Sequence, residues 1–154
     1  MAEIASLEVF SGHDFLHGLS EQHRLRLVSA VTPFSIAAGE VLGREGTTAD
    51  KFYLIQSGKV AIETSKADAQ APLQVLGPGE VVGWSWLVAP HQWKFTCHAV
   101  TEVHGLQFDG FWLRDQCEQD PYLGYVVTKK VLEAVAQRLG ALRIGQSSAA
   151  SEGA

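Results

Sequence analysis

The order of apolar and polar residues divides the chain into a helical start, a strand-rich middle and a helical end. Residues 3–32 are predicted to be helical. Ser20 precedes Glu21 and Gln22, which is a typical composition for a capped first helical turn. The apolar side of this helix is formed by Leu25, Leu27, Val28 and Val31. Pro33 then ends the helix, because a proline disfavours helical backbone at the residue before it.

Residues 34–108 read as short strands separated by glycines. The predicted strands are Phe52–Gln56, Lys59–Glu63, Leu73–Leu76, Lys94–Val100 and Val103–Phe108. Ser57 and Gly58 separate the first two, and a two-residue connection of this type predicts a β-hairpin. Residues 65–72 are predicted to be a polar loop. Many short strands, spaced about ten residues apart, predict a sandwich or jelly roll.

Beyond Phe108 the helical pattern returns, over residues 109–144. Asp109 is placed to cap a short helix, and Asp120 followed by Pro121 predicts the start of a long one. Apolar residues then recur every three or four positions as far as Leu142. We therefore predict one domain over residues 1–145, mainly β with flanking helices, and a disordered tail over residues 146–154.

Composition narrows the class of protein. The chain has 154 residues, of which 46% are apolar and 19% charged, and its net charge is −5. Without a lysine- and arginine-rich cluster, direct nucleic-acid binding is disfavoured. No apolar run reaches the length of a membrane span, and the N-terminal residues lack the pattern of a signal peptide. Cys97 and Cys117 lack metal-site spacing, so we expect a cytoplasmic protein with reduced thiols and Cys97 in its core.

The segment Gly77-Pro-Gly-Glu-Val-Val-Gly-Trp-Ser-Trp-Leu87 carries most of the functional information. Glycine-rich turns that lead into a short helix present free backbone N–H groups and the positive end of a helix dipole. Such an arrangement is a cradle for an anion. Glu80 is expected to be a solvated turn residue.

Three glycine motifs resemble those of the cyclic nucleotide-binding domain family. Ala38-Gly-Glu-Val-Leu-Gly-Arg-Glu-Gly46 looks like the first hairpin of that family, and Ala49–Val60 looks like the second. Leu76-Gly-Pro-Gly-Glu-Val-Val-Gly83 resembles the approach to its phosphate cassette. The resemblance covers roughly residues 10–143 and implies a jelly roll followed by a long helix. Such domains occur in bacterial regulators of the catabolite activator class, in kinase regulatory subunits and in channels.

The cassette departs from the family pattern at the two positions that matter most for a nucleotide. Family members that bind cyclic AMP or cyclic GMP have a glutamate for the ribose where this chain has Trp84. They have an arginine for the phosphate where Trp93 stands. The chain instead resembles a branch of single-domain bacterial members with a Gly-Trp-Ser-Trp-Leu cassette. Without the arginine, helix-terminal N–H groups offset roughly 1–2 kcal/mol of the cost of burying a phosphate, which leaves most of it.

Three interpretations of this pocket remain open at the level of sequence. The tryptophans fill the anion cradle and leave no room for a ligand, or they stack on a nucleotide, or they bind another aromatic or apolar small molecule. Lys94 offers a point charge, although it faces away from the pocket if Trp93 faces in. The candidate ligand-binding residues are Gly83, Trp84, Ser85, Trp86, Leu87, Trp93, Lys94, Phe95 and Thr96.

Catalytic and metal sites are not predicted. The cupins share a similar barrel but need clustered histidines, whereas His98 and His104 are six residues apart. We expect both to be ordinary strand or surface histidines. His13 and His17 alone would make a weak site. No catalytic residue, metal ligand or cofactor is assigned, apart from an unconfirmed cyclic nucleotide as ligand.

The long C-terminal helix is predicted to pair with a second copy of the chain, as the family resemblance implies. The predicted seam consists of Val127, Val131, Val135, Leu139 and Leu142. The alternative is a helix that folds entirely onto its own roll. Transcription factors of the family carry a helix-turn-helix domain after this helix, whereas only a short polar stretch follows Ile144 here, so we expect no contact with DNA or membrane.

These observations favour a non-enzymatic sensory or regulatory module with an atypical Trp-lined pocket, which signals through its C-terminal helix to an unidentified protein partner. The alternative is a ligand-free structural or protein-interaction domain that retains the roll as a scaffold. A cupin-type enzyme is a remote third.

Overall fold

The computed structural model describes residues 14–64 and 73–152, with side chains for residues 15–64 and 73–140. The strands are β1 (Thr32–Ile36), β2 (Val41–Gly43), β3 (Lys51–Ser57), β4 (Val60–Glu63), β5 (Gln74–Leu76), β6 (Val81–Val82), β7 (Thr96–Ala99) and β8 (Val103–Asp109). The α-helices are α1 (Glu21–Val28), α2 (Gly110–Gln119) and α3 (Pro121–Glu152). Single 3₁₀ turns span Asp14–Leu16 and Trp84–Trp86.

The strands form two antiparallel sheets of four, which confirms the predicted jelly roll. One sheet has the order β1-β8-β3-β6 and the other the order β2-β7-β4-β5. Aliphatic side chains from both sheets meet between them, including the fully buried Ile55, Val60 and Val103. The outer face of the first sheet carries Phe52, Leu106 and Phe108, against which the helices pack.

The predicted hairpin at Ser57 and Gly58 is wrong. β3 pairs with β6 and β8, whereas β4 pairs with β5 and β7, so the chain passes from one sheet to the other at this turn. Gly58 has a φ of +92°, and a Cβ atom there would lie 2.2 Å from the carbonyl oxygen of Glu102. A glycine is required for this corner, and the same residue type is typical of hairpin turns, which explains the error.

The N-terminal helix is shorter than predicted. Within the described residues 14–32, the helical structure consists of the 3₁₀ turn and α1, while residues 3–13 lie outside the described part. Ser20 caps α1 as predicted, because its Oγ accepts a hydrogen bond from the backbone N–H of His23 (3.2 Å). Pro33 does not end this helix directly; it lies in β1, which is an edge strand, where a proline is tolerated.

Both predicted caps of the C-terminal helices are confirmed. The carboxylate of Asp109 accepts hydrogen bonds from the backbone N–H groups of Phe111 and Trp112, and that of Asp120 accepts one from Leu123. α3 continues to Glu152, through most of the segment predicted to be a disordered tail. That segment contains no proline to stop the helix. The remaining tail residues and the polar loop 65–72 lie outside the described residues.

Candidate functional site

The cassette begins where β6 ends. Gly83 follows with a φ of +92°, and the 3₁₀ turn Trp84–Trp86 comes next. A Cβ atom at Gly83 would lie 2.8 Å from the Trp93 ring and 3.0 Å from the carbonyl oxygen of Lys51. The glycine is therefore fixed both by backbone conformation and by close packing. It turns the chain so that Trp84 and Ser85 line the same small cavity as Ile62 and Cys97 of the second sheet.

Trp93 fills the cradle. Its side chain is 5% exposed, and its ring would lie 2.1 Å from a Cβ atom built on Gly43. The ring therefore rests directly on the backbone of Gly43 and Gly83, and it stacks on Tyr53 with 6.4 Å between ring centroids. Backbone hydrogen bonds of 2.8 Å to Thr47 and Gly46 hold the residue in place. The indole occupies the space between the two glycines.

The space that remains in the cradle is small. A cavity of about 20 Å³ lies among Gly83, Trp84, Ser85, Trp93 and residues of the second sheet. A cavity of this size holds about one water molecule. In this arrangement the cradle does not admit a nucleotide.

Six of the nine candidate binding residues line this cavity: Gly83, Trp84, Ser85, Trp93, Lys94 and Phe95. Lys94 is exposed while Trp93 is buried, yet Lys94 still lines the cavity, so the expectation that it faces away from the pocket is not met. Thr96 does not line the cavity; its hydroxyl accepts a hydrogen bond from the backbone N–H of Glu45 (3.1 Å).

Trp86 and Leu87 require a correction. Trp86 is fully buried in the core under α2, with its ring 5.4 Å from that of Phe52. Leu87 lies on the far side, in a surface depression between the cassette, α2 and α3. Both point away from the cradle because successive residues of a 3₁₀ turn point in directions about a third of a turn apart. Neither belongs to the candidate set.

Arg138 of α3 is a site residue that the sequence analysis missed. It lines the cradle cavity together with Ser85 and Cys97, although it is more than forty residues away along the chain. Its Nη2 atom is buried and has no hydrogen-bond partner among the described residues. Burial lowers the pKa of the guanidinium from its ordinary value, whereas the nearby carboxylate of Glu80 raises it. A signal was present in the sequence, since Arg138 stands eleven residues after Val127, which is three helical turns along the same face.

A groove of about 470 Å³ opens outside the cradle, between the second sheet and α3. Five residues line both the cradle cavity and this groove: Ile62, Trp84, Lys94, Phe95 and Arg138. The other residues that line the groove are Leu73, Gln74, Val135 and Leu139. The amide of Gln74 donates a long hydrogen bond (3.5 Å) to the backbone carbonyl of Arg138, which ties β5 to α3.

The predicted dimer seam is divided by the structure. Val127 and Val131 are 0% and 5% exposed because they pack into the core of their own chain, so they are not available to a partner. Val135 is partly buried against the same core, Leu139 is 63% exposed, and the side chain of Leu142 lies outside the described part. The apolar row that α3 presents to solvent is Tyr125, Leu132 and Leu139, one residue every seven positions. The pairing of two chains itself stays a prediction.

The histidines of the described strands have carboxylate neighbours. His98 lies 3.1 Å from Glu63, and His104 lies 3.2 Å from Glu102. Within the described ranges, no three His, Cys, Asp or Glu side chains are grouped to hold a metal ion. Cys97 and Cys117 are buried and free, and burial raises their pKa to about 12 and about 11.

None of the helices in the described residues is both long enough and apolar enough to cross a membrane.

The comparisons with known proteins agree with this geometry. The model of the cyclic nucleotide-binding domain family matches residues 33–120, which is more than half of the chain. The chain belongs to this family. The matched range runs from β1 to the start of α3 and includes the whole cassette.

Two characterised relatives are regulators. The chain is 24% identical over 133 residues to a CRP-like cAMP-activated global transcriptional regulator of Mycobacterium tuberculosis. It is 28% identical over 101 residues to a cAMP-dependent protein kinase type II regulatory subunit of Drosophila melanogaster. The matches cover 86% and 66% of this chain, but only 58% and 27% of those proteins.

Solved structures share the fold over most of the chain. A cyclic nucleotide-binding protein of Geobacter metallireducens has a TM-score of 0.80 at 25% identity, over 87% of this chain and 98% of that one. The regulatory subunit of a cAMP-independent protein kinase A from Trypanosoma brucei has a TM-score of 0.70 at 22% identity, over 88% of this chain and 46% of that one.

Proposed function

We propose that this chain is a non-catalytic, cytoplasmic regulatory module, in which a small ligand at the cassette changes the position of α3 and thereby the contact with a partner. One observation carries the proposal: Arg138 of α3 forms part of the wall of the cradle and of the adjoining groove. A ligand that enters there meets cassette and helix at once. It shifts the equilibrium between two helix positions if it binds one of them more tightly.

The proposed partners are a second copy of the chain and an unidentified protein. The exposed row Tyr125, Leu132 and Leu139 on α3 supports pairing of two chains. Direct nucleic-acid binding is not proposed, because the net charge of the chain is −5.

Tryptophan emission and backbone hydrogen exchange test this function together. The full chain is titrated with cyclic AMP, cyclic GMP and cyclic dinucleotides. We expect a binding compound to change the emission of Trp84 or Trp93 and the exchange of amides in residues 121–140. Binding that leaves this exchange unchanged would contradict signalling through α3.

The alternative is a ligand-free scaffold, and a specific observation favours it: the indole of Trp93 leaves only about 20 Å³ in the cradle. Trp93→Arg separates the two. If the cradle is intact beneath the ring, the variant gains affinity for cyclic AMP, because the added guanidinium pairs with the phosphate. If the scaffold alternative holds, calorimetry detects no gain. Phe95→Arg adds the same charge beside the cradle and serves as the control.

A further inference from the structure

The groove between the second sheet and α3 adjoins the cradle and has the features of a ligand site. Its volume of about 470 Å³ falls within the range of roughly 300–1,000 Å³ that is typical of small-molecule sites. Six of its nine lining residues are apolar or aromatic: Ile62, Leu73, Trp84, Phe95, Val135 and Leu139. A mostly apolar wall with a few polar groups is the usual composition of such a site.

The polar groups of the groove are cationic or neutral. Arg138 and Lys94 are its charged residues, and Gln74 is its amide. No carboxylate lines the groove among the residues that the structure describes. Charge complementarity therefore selects a ligand with a negative group.

Arg138 has a buried side-chain nitrogen that lacks an acceptor among the described residues. Among the residues that the structure describes, its Nη2 atom is buried without a hydrogen bond and no ion pair joins this residue to a carboxylate. A buried charged donor without a partner is costly, and an anion that accepts from it removes that cost. Glu80 lies close enough to act on the guanidinium electrostatically. Its negative charge favours a ligand with one negative charge over a ligand with two.

From these contacts we infer that the groove binds a small aromatic carboxylate, with its carboxylate on Arg138 and Lys94 and its ring between Trp84 and Phe95. Because Trp93 fills the cradle, the anion is bound instead by Arg138, which belongs to the C-terminal helix. The inference deepens the proposed function and rests on it for the role of the ligand, but the binding itself is tested separately.

Calorimetry on the full chain with two probes of equal ring size is the test. 2-Naphthoate carries the carboxylate, and 2-naphthylmethanol has a neutral hydroxyl in its place. We expect the affinity for 2-naphthoate to exceed that for the alcohol by about ten-fold or more, which is the range of a charge-assisted hydrogen bond. Equal affinity for the two probes, or no binding of either, would overturn the inference.

Variants then locate the binding site. Arg138→Gln is expected to remove most of the advantage of 2-naphthoate over the alcohol, with Lys94 keeping the rest, and to leave the affinity for the alcohol unaffected. Leu73→Asn, which changes an exposed wall residue, is expected to weaken both probes. Lys129→Gln removes an equal charge from α3 outside the groove and is expected to change neither. An unchanged affinity of Arg138→Gln for 2-naphthoate would also overturn the inference, and if that variant fails to fold, the probe pair on the unaltered protein still decides.

The two proposals can fail independently. If 2-naphthoate binds through Arg138 and the hydrogen exchange of residues 121–140 does not change, the groove is a ligand site and signalling through α3 is contradicted. If cyclic nucleotides change this exchange and 2-naphthoate does not bind, the regulatory function stands and the ligand class is wrong.

Discussion

Trp93 takes up space that side chains at two other positions would need. Its ring lies on the backbone of Gly43 and Gly83, and Gly83 is in addition fixed by a φ of +92°. Gly43 has an ordinary φ, so the Trp93 ring is its main constraint. A substitution at Gly43 therefore reports mainly on the contact with the Trp93 ring and not on backbone conformation.

We predict that Gly43→Ala lowers the free energy of unfolding by about 1–3 kcal/mol, because the added methyl group would lie 2.1 Å from the Trp93 ring. Urea unfolding measures the change. Gly77→Ala is the matched control, since its Cβ would meet no atom within 4 Å, and we expect it to stay within about 0.5 kcal/mol.

A double-mutant cycle shows whether the Trp93 ring causes the destabilisation by Gly43→Ala. In a Trp93→Ala background, Gly43→Ala should cost almost nothing, because the methyl group enters the space that the ring has left. An undiminished cost in that background would show that Gly43 is constrained by something other than Trp93.

At the scale of elements, Asp120 joins the first helix to the last. One of its oxygens caps α3 through the backbone N–H of Leu123. The other lies 3.1 Å from Arg26 and 3.3 Å from His23, both on α1. The hydrogen bond from Leu123 is the largest cause that lowers the pKa of Asp120 below its ordinary 3.8, followed by Arg26 and His23. One carboxylate thus sets both the start of α3 and its contact with α1.

This arrangement gives a pH dependence of known sign. Because the pKa of Asp120 is lower in the folded chain, its contribution to stability is present above pH 3.8 and is lost as the pH falls through the folded-state pKa. We predict that Asp120→Asn lowers stability at neutral pH and that its difference from the unaltered protein shrinks at acidic pH. Urea unfolding at a series of pH values measures both. Asp115→Asn, a substitution of an exposed acid on α2, should show no comparable loss, and a difference for Asp120→Asn that is constant with pH would contradict the assignment.

The elements were largely predictable from the sequence because their signals are local. Ser20, Asp109 and Asp120 are capping residues, and each caps the predicted helix. The pairing of strands was less predictable. Gly58 reads as a hairpin turn, but whether the next strand continues in the same sheet depends on contacts with the distant Glu102. The same limit applies to Arg138, whose position in the site follows from how α3 lies on the roll.

For the whole molecule, α3 presents one apolar face to its own core and another to solvent. Val127 and Val131 face inward, while Tyr125, Leu132 and Leu139 are 63%, 64% and 63% exposed. The sequence predicted an apolar seam, but two of its residues, Val127 and Val131, pack inward, while Leu139 of the same seam is exposed. Both faces of this helix carry apolar residues at helical spacing. Periodicity alone does not say which face packs on the roll.

We predict that Leu132→Glu converts a dimer of this chain into monomers, because it places a charge in the centre of the exposed apolar row. Sedimentation velocity over a range of protein concentrations measures the change. Gln137→Glu adds the same charge to an exposed position away from the row and should leave the dimer intact. A dimer that survives Leu132→Glu would show that the chains pair through another surface.

The contact between Trp93 and Gly43 also has an evolutionary consequence. Because the ring packs directly on the backbone, the residue types at positions 43 and 93 depend on each other. Homologues with a bulky aromatic residue at position 93 should retain glycine at position 43. Where an arginine or a smaller residue replaces the tryptophan, position 43 is no longer restricted and larger residues become acceptable there. Correlated substitution between these two positions would thus distinguish, across many genomes, the plugged members of the family from those with an open cradle.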